Sequence, residues 1–439
     1  MEHGKETIRS KLYAAIQGLK SKEIQGGGRE RNGPKGTGKL DKQAVLLLSV
    51  QGLFGIANAL SGTFIPVYLW KASQSFLTIG YFSLFQYLVS GMTFWLAGKW
   101  VKEGNKMNSL RLGVVLSGSF YLAVLLLGKL AIYYVIPLGM LNGMASGFFW
   151  LAYNVVYFEI TEPDNRDRFN GFAGLLGSGA GIVAPWVSGL LITAFAGDRG
   201  YKIIFTISLA VFGLAALLSF FLKKRRAEGQ YEWFHGFRKL KRKDLPWRSV
   251  FAALTAQGMR EGVFMFLVGL LVFIATQNER KLGVFSFWTS LVGLIAFWLI
   301  GRQMKMKARK KAMLVGVIMI ALVIVPLFWQ TNYTTLIWFG IGTAIFMPMF
   351  TIPMTSSVFD IIGESKENAM KREEFIVLRE IGLVTGRLAG LSIYLLVMAL
   401  LEKSQSAITW LLLGVGSMPI AAWWFMRDLL SRRLATDKS

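Results

Sequence analysis

The sequence predicts an all-α membrane protein in which most of the chain crosses a bilayer. Of its 439 residues, 54% are hydrophobic and 14% are aromatic, and the mean hydropathy is +0.47. The apolar residues form stretches long enough to cross about 30 Å of hydrocarbon as helices. Lys and Arg residues lie mainly between alternate stretches, as membrane topology requires. These three observations exclude an ordinary soluble domain.

Twelve apolar stretches are candidates for membrane-spanning helices. In chain order they are residues 44–70, 76–98, 109–128, 130–160, 169–195, 201–222, 249–275, 281–301, 312–329, 333–361, 375–401 and 404–426. Several of them exceed 25 residues, so we expect helices that tilt or extend beyond the bilayer.

The basic residues orient these spans. With the N-terminus in the cytosol, 39 of the 49 Lys and Arg residues lie on the cytosolic side and 7 on the opposite side. Because cytosolic loops are enriched in Lys and Arg, both termini are predicted to be cytosolic. The net charge of +24 is thereby explained by topology and by attraction to anionic inner-leaflet lipids, and no nucleic-acid partner is expected.

A basic segment divides the spans into two sets of six. The predicted domains are an extension at 1–43, a bundle at 44–222, a linker at 223–248, a second bundle at 249–426 and a tail at 427–439. The extension is predicted to be either a disordered tail with a transient helix or an amphipathic helix on anionic lipid.

Two short similarities relate the two sets of spans. Phe-Glu-Ile at 158–160 corresponds to Phe-Asp-Ile at 359–361, 201 residues later. Gly-Lys at 98–99 corresponds to Gly-Arg at 301–302, 203 residues later. Nearly equal offsets at equivalent span ends predict a parallel 6+6 repeat.

Charged residues interrupt the apolar interior of two spans. Arg260 and Glu261 lie in the seventh, and Arg379, Glu380 and Arg387 lie in the eleventh. A charge in hydrocarbon costs at least ~2.5–3.5 kcal/mol, so such residues indicate a functional site. Measured from the predicted cytosolic ends, Arg260 and Arg387 lie at a similar depth of roughly 17–18 Å. The alternative interpretation is a structural ion-pair network.

Composition excludes several other kinds of site. Cysteine is absent, and the only histidines, His3 and His235, fall outside the apolar stretches. Thiolate chemistry, histidine-based zinc sites and a histidine proton relay are therefore excluded. We expect no metal site, no cofactor and no enzymatic activity.

The twelve spans, the repeat and the basic central loop resemble the major facilitator superfamily. Residues 98–106, GKWVKEGNK, are similar to the family's Gly-x-x-x-Asp-x-x-Gly-Arg signature, with Lys102 at the Asp position. Residues 181–189, GIVAPWVSG, are similar to the Gly/Pro motif of the fifth helix, which is associated with exporters. Residues 157–166 resemble the acidic-then-basic pattern at the cytosolic end of helix 4. The similarity covers about residues 44–426, and the Arg-Glu-Gly triplet of the seventh span resembles poorly characterised bacterial members.

This resemblance implies a secondary transporter in which helices 1, 4, 7 and 10 line a central cavity. It also implies that helices 2, 5, 8 and 11 form a moving interface between the halves. The predicted substrate-binding residues are Asn58, Gln86, Asn142, Trp150, Gln257, Arg260 and Arg387. Glu261 and Glu380 are the predicted proton-coupling residues. The predicted gate residues are Glu159, Arg166, Arg168, Asp360, Arg372 and Arg379.

The buried charges in the two charged spans sum to +1, which favours an anionic, zwitterionic or polar neutral substrate. We expect a proton-coupled exporter that acts as a monomer in a bacterial plasma membrane. Its expected partners are a small molecule, protons or another coupling ion, and anionic lipids of the inner leaflet. Two alternatives remain, a lipid or glycolipid flippase on the same fold and a membrane receptor or scaffold without transport.

Overall fold

The structure is a computed structural model, and its described residues are almost entirely helical and contain no β-strand. The described residues are 40–160, 163–195, 197–223, 229–242, 246–363, 368, 370–401 and 404–436. The chain from Leu40 onward forms one compact unit, and residues 1–39 lie outside the described residues. The alternatives predicted for the extension therefore remain predictions.

The described part of the chain has seven helices before the linker, one within it and seven after it. Those before it are α1 (Lys42–Gly62), α2 (Ile65–Ser73), α3 (Phe76–Glu103), α4 (Lys106–Leu127), α5 (Val135–Ile160), α6 (Pro163–Ala194) and α7 (Arg199–Ser219). A short helix, α8 (His235–Lys241), lies within the linker. Seven more follow it: α9 (Trp247–Thr276), α10 (Glu279–Gln303), α11 (Arg309–Leu322), α12 (Tyr333–Ile362), α13 (Arg372–Leu400), α14 (Gln405–Gly416) and α15 (Met418–Thr436). Three 3-10 segments connect some of them: Gly128–Tyr134, Met306–Ala308 and Val325–Phe328.

Local sequence explains where several helices begin. Asp41 accepts a hydrogen bond from the backbone N–H of Ala44, which caps α1. Asn332 and Thr335 form a reciprocal capping box at the start of α12. Such caps satisfy backbone N–H groups that a helix leaves without an intrahelical partner.

Ten stretches of the described chain are long and apolar enough to cross a membrane. This confirms a multi-pass helical membrane protein. One stretch, Lys106–Tyr157, contains both α4 and most of α5, and α3 is not among the ten. The count of twelve spans therefore stays a prediction.

The same pattern of helix packing occurs before and after the linker. Before it, α1 packs on α6 and α7, α3 packs on α5, and α4 packs on α5 and α7. After it, α9 packs on α13 and α15, α10 packs on α12, and α11 packs on α12 and α15. If α14 and α15 are counted as one bent helix, α1, α3, α4, α5, α6 and α7 correspond in chain order to α9, α10, α11, α12, α13 and this bent helix. Corresponding helices then make corresponding contacts.

The bundle has two ends that differ in their contacts. The linker end holds α8 together with Glu103 and Arg372, and the sequence predicts that it faces the cytosol. The far end holds α2 together with Glu279 and Leu400. At the far end, one buried apolar cluster includes Trp70 of α2 and Phe273 of α9, so it joins both helix groups.

The helices α3 and α13 touch along their whole length and close one seam between the two groups. Tyr394 donates a hydrogen bond to the carbonyl oxygen of Phe76 at 2.9 Å near the far end. In the middle, a Cβ at Gly91 would lie 2.7 Å from the side chain of Val384. This seam is therefore sealed from one end of the bundle to the other.

The contacts of the α6 glycines with α10 lie in the far-end halves of the two helices, and residues 174–177 of α6, towards the linker end, are all exposed. A Cβ at Gly189 would lie 2.7 Å from the carbonyl oxygen of Glu279, and a Cβ at Gly181 would lie 3.7 Å from Ser290. Towards the linker end, Gly174 and Gly177 of α6 have no described atom within 4 Å of the Cβ position. The second seam is therefore closed at the far end and open towards the linker end.

The helices α9 and α13 approach closely because glycines line their contact. A Cβ at Gly386 would overlap with the carbonyl oxygen of Thr255, and one at Gly258 would overlap with that of Leu383. In the eleventh span, Gly382, Gly386 and Gly390 recur every four residues, a sequence pattern that predicts a close contact with another helix, and this contact is present. This contact brings the charged residues of the two helices together.

Candidate functional site

Arg387 joins α13 to α9 through two carboxylates in the middle of the bundle. Its Nη2 donates to Glu261 Oε2 at 2.9 Å, and its Nη1 donates to Glu380 Oε1 at 2.6 Å. Gln257 donates from Nε2 to the other oxygen of Glu261 at 2.7 Å. The Tyr87 ring of α3 lies 5.2 Å from the Arg387 guanidinium. Arg387 is thus a paired cation, and it links both predicted proton-coupling carboxylates.

Arg260 lies beside this network but does not join it. Its side chain is buried, with 5% of the residue exposed. Its guanidinium lies 4.3 Å from the centre of the Phe264 ring, and Nη1 lies 3.7 Å from Met347 Sδ. Its Nε and Nη2 are buried and have no hydrogen-bond partner in the described part of the chain. A buried cation with unsatisfied N–H groups is costly unless a ligand completes it.

A cavity of about 460 Å³ lies between α9, α10 and α12, against Arg260. Its lining residues are Arg260, Glu261, Phe264, Met265, Val268, Phe285, Thr289, Ser290, Gly293, Phe297, Phe339, Gly340, Thr343, Ala344 and Met347. Thr343 also has a buried hydroxyl without a partner among the described residues. The cavity therefore combines apolar walls with a cation and a hydroxyl, both of which have unused hydrogen-bonding capacity.

Several predicted substrate-binding residues do not line this cavity. Asn58 donates to the Phe54 carbonyl oxygen of its own helix at 3.0 Å. Trp150 is 40% exposed and packs edge-on against Phe54 and Tyr153. Gln86 and Asn142 lie on α3 and α5, which pack on each other in the first helix group. Their roles, like those of all the predicted site residues, stay predictions.

The predicted gate residues lie at several different places. The side chains of Glu159, Arg166 and Arg168 fall outside the described residues. Asp360 pairs with Arg309 at 2.8 Å, which joins α12 to α11 within one helix group.

The other two predicted gate residues lie on α13. Arg372 Nε lies 3.3 Å from the carboxylate of the adjacent Glu373. The guanidinium of Arg379 lies 5.6 Å from the centre of the Phe359 ring.

An ion pair that sequence reasoning missed joins α3 to α13 at the linker end. Lys102 Nζ lies 2.7 Å from both oxygens of Glu374 and 3.6 Å from Glu373. The side chains of Lys102 and Glu374 are only 3% and 1% exposed. Lys102 replaces an Asp of the family signature, and the Glu373-Glu374 dipeptide opens the eleventh span. The lysine in place of an aspartate and the two successive glutamates are the sequence signals for an ion pair between α3 and α13.

A second ion pair, between a buried glutamate and a partly exposed lysine, joins the two helix groups at the far end. Lys71 Nζ of α2 lies 2.9 Å from Glu279 Oε1 of α10, and the Tyr201 hydroxyl donates to the same oxygen at 2.9 Å. The sequence predicts only a loop position for Lys71. In both pairs the first helix group supplies a lysine and the second supplies a glutamate. We call them the linker-end pair (Lys102 with Glu373 and Glu374) and the far-end pair (Lys71 with Glu279).

The linker is attached to α13 through Glu232. Its carboxylate lies 2.7 Å from Lys371 Nζ and also contacts His235 and Arg238. The hydrogen bond from Lys371, with a further one from His235, lowers the pKa of Glu232 from 4.5 to about 2. A carboxylate with a lowered pKa stabilises the folded state above its unfolded pKa, and this contribution is lost as the pH falls towards the folded value.

Lowering the pH from 4.5 towards 2 is therefore expected to weaken the attachment of the linker. The measurement is the midpoint of thermal unfolding across this pH range for the wild type and for Glu232→Gln. We expect the wild type to lose stability more steeply than the variant, because the variant cannot lose a carboxylate charge at this position. Equal slopes would contradict this role for Glu232.

Solved structures of membrane transporters share this arrangement of helices. One is a bacterial homologue of the iron transporter ferroportin in an outward-facing state with soaked iron, with a TM-score of 0.62 and 13% identity. It aligns over 89% of this chain and 100% of its own. The nucleoside transporter NupG aligns with a TM-score of 0.65 and 15% identity, over 88% of this chain and 99% of its own. At sequence identities of 13% and 15%, this structural similarity establishes the fold alone.

Sequence similarity identifies the family to which the chain belongs. The model of the Major Facilitator Superfamily matches residues 47–372, so the chain belongs to this superfamily, and the resemblance noted above is confirmed. "Uncharacterized protein YqgE" of Bacillus subtilis (strain 168) is 38% identical over 89% of this chain and 90% of its own length. "Uncharacterized protein in sodM 3'region" of Geobacillus stearothermophilus is 36% identical over 46% of this chain and 95% of its own length. The protein is therefore a multi-pass membrane protein of the transporter class.

Proposed function

We propose that the protein is a secondary active transporter that carries a small organic anion across the bacterial plasma membrane by alternating access. The observation that carries this proposal is Arg260, a buried cation whose Nε and Nη2 have no described partner and which lines a 460 Å³ cavity. An anionic group supplies the acceptors that these N–H groups lack, and a planar guanidinium suits a carboxylate or phosphate.

The proposed architecture has twelve spans in a 6+6 repeat with both termini in the cytosol. The recurrence of the same packing pairs before and after the linker supports the repeat. The excess of Lys and Arg at the linker end supports the orientation. The proposal also includes the domain bounds predicted from the sequence and a monomeric state. It further includes a basic linker that contacts anionic lipid of the inner leaflet.

Proton coupling is proposed to act through the carboxylates that share Arg387. Protonation of Glu261 removes one of the two negative charges that hold Arg387, and Glu380 at 2.6 Å retains the cation. Glu261 also lines the Arg260 cavity, so its charge affects an anion bound there. A proton on Glu261 therefore favours binding of the anion, because it removes a like charge beside it. Joint binding of a proton and the anion corresponds to symport, which an inward proton gradient drives as uptake, whereas the Gly/Pro motif of α6 favours export. The direction of transport under an imposed pH gradient distinguishes these two modes.

The two inter-group pairs are proposed to act as gates. Alternating access requires one end of the bundle to open while the other is closed. The far-end pair would break in a state open at the far end, and the linker-end pair would break in a state fully open at the linker end. The predicted residues Glu159, Arg166, Arg168, Asp360, Arg372 and Arg379 remain candidates for supporting contacts around the linker-end gate.

Uptake of radiolabelled organic anions into proteoliposomes with an imposed pH gradient tests this function. The probes are butanoate, benzoate and dodecanoate, compared for the wild type, Arg260→Gln and the control Arg302→Gln, whose arginine is exposed on α10. Loss of a charged hydrogen-bonding partner costs about 1.5–3 kcal/mol, so we expect a reduction of roughly 10–100-fold for Arg260→Gln. The control should transport at the wild-type rate. Anion transport that survives Arg260→Gln unchanged would contradict the proposed anchor.

A lipid flippase is the second candidate function. The observation that favours it is the seam between α6 and α10, which is open towards the linker end while the seam between α3 and α13 is closed. A lipid would need such a lateral route. Transbilayer movement of a fluorescent lipid in the same proteoliposomes distinguishes this candidate.

A further inference from the structure

We infer that the ligand of the Arg260 cavity is an amphiphilic anion, with one charged group and an apolar body, that enters from the bilayer between α6 and α10. The inference rests on the proposed function for the anchoring of an anion by Arg260. It adds the chemical class of the rest of the ligand and its route of entry.

The polar groups of the cavity define a site for a single anionic group. Arg260 presents two unsatisfied N–H positions, and Thr343 adds a hydroxyl without a described partner. Both residues line the same cavity. A carboxylate or a phosphate diester, each with one negative charge, accepts hydrogen bonds from both, and burial strengthens these charge-assisted bonds. Glu261 also lines the cavity, and its negative charge disfavours a ligand with several negative charges.

The walls of the cavity suit an apolar body. Five of its largest lining side chains are apolar, namely Phe264, Met265, Phe285, Phe297 and Phe339. Met265 is 76% exposed, although it lies in the middle of α9, because its side chain borders open space. A volume of about 460 Å³ exceeds the needs of a small carboxylate and falls within the range of sites for drug-sized ligands.

The cavity reaches the face of α10 that separates from α6. Ser290, Gly293 and Phe297 of α10 line it. Ser290 is also next to Gly181, and residues 174–177 of α6, which lie nearer the linker end, are exposed. The opening between α6 and α10 therefore begins near Ser290, which also lines the cavity.

The rim of this opening is apolar on both sides. On α6, Leu175 is 64% exposed, and on α10, Phe297 and Trp298 are 46% and 60% exposed. The opposite seam is closed by contacts from Phe76 to Lys102 on α3. A hydrated ion would lose its hydration at such a rim without a hydrogen-bonding replacement, whereas an apolar chain passes from lipid to the rim at little cost.

Binding of chain-length and charge analogues tests the ligand class. Dodecanoate, butanoate and dodecyltrimethylammonium are titrated against the protein in nanodiscs, and binding to Arg260→Gln is subtracted to remove partition into lipid. We expect Arg260-dependent binding of dodecanoate at least about tenfold tighter than that of butanoate and none of the cation. Equal affinity for the two carboxylates would overturn the amphiphile inference and leave the proposed anion transporter intact. Absence of Arg260-dependent binding by either carboxylate would overturn both.

The absence of cysteine allows a direct test of the route. Gly177→Cys places a single thiol on the rim, and Gly213→Cys is a matched control on α7, since each glycine has open space around its Cβ position. Attachment of a bulky maleimide at position 177 should slow entry of dodecanoate several-fold, whereas attachment at position 213 should have no effect. An equal rate for both labelled variants would overturn the lateral route.

The same labelled variants distinguish two sources of the amphiphile. Fluorescent phosphatidylglycerol, which carries one negative charge, reports a ligand that is itself a bilayer lipid, whereas dodecanoate reports a dispersed amphiphile. Arg260-dependent movement of either one, slowed by the label at position 177, supports the inference. Movement that the label does not affect counts against it.

Discussion

Replacement of Arg387 by Met is expected to destabilise the folded protein, whereas replacement of Arg260 by Met is expected to stabilise it. Arg387 neutralises two carboxylates, Glu261 and Glu380, which the variant would leave partly buried without this cation, so the cost lies at or below that of a fully buried pair. Removal of one partner from a buried ion pair costs about 3–5 kcal/mol. Arg260 has no described ion pair, so Arg260→Met removes an unsatisfied cation and gains about 1–3 kcal/mol.

Unfolding in one detergent, followed by circular dichroism, measures both effects. Arg302→Met serves as the control, because Arg302 is exposed on α10 and its replacement should change the free energy of unfolding little. Opposite signs for Arg387→Met and Arg260→Met would establish that one arginine holds the fold and that the other is free for a ligand. If Arg260→Met destabilises the protein as much as Arg387→Met does, Arg260 is a structural residue and the proposed anchor is wrong.

Replacement of Lys102 by Met is expected to open the linker end of the bundle. The variant removes the buried cation between Glu373 and Glu374 and leaves these carboxylates with the less buried Lys371 and Arg372, which costs up to about 3–5 kcal/mol if the helices stay together. Separation of α3 from α13 hydrates both carboxylates and relieves this cost. The double variant Lys102→Met with Glu374→Gln should recover part of the lost stability, because it removes one of the two buried negative charges.

Distances between spin labels at Lys99→Cys and Met370→Cys report the separation directly, since both positions are exposed at the linker end and no native cysteine interferes. We expect a longer distance in Lys102→Met than in the parent. Lys71→Met is the matched control, because it breaks the far-end pair and leaves the linker-end pair intact. An unchanged distance in Lys102→Met would show that the linker-end pair does not hold the bundle closed.

The fold class and its charged centre were predictable because their signals are local. Long apolar stretches predicted spanning helices, and ten such stretches are present in the described chain. Charges inside the seventh and eleventh spans are enough to single out Arg260, Glu261, Glu380 and Arg387, because charges are rare where hydrocarbon penalises them. The glycine repeat likewise predicted the close contact of α13 with α9.

The partners of each charge were not predictable in the same way. Arg260 and Glu261 are adjacent in sequence, yet one has no described ion pair and the other is bound to Arg387. The linker-end pair was missed because Lys102 and Glu374 are 272 residues apart. Ion pairing depends on distances of a few ångströms between helices, and a single sequence does not contain these distances.

The sequence by itself determined the kind of molecule, a multi-pass helical membrane protein with a charged centre, because hydrophobicity and charge act residue by residue. Only the tertiary structure decided which arginine is satisfied and which faces a cavity. It also decided that the seam between α3 and α13 is closed while the seam between α6 and α10 is open towards the linker end. The physical reason is that pairing, burial and access are properties of packed helices, and packing joins residues that the chain keeps far apart.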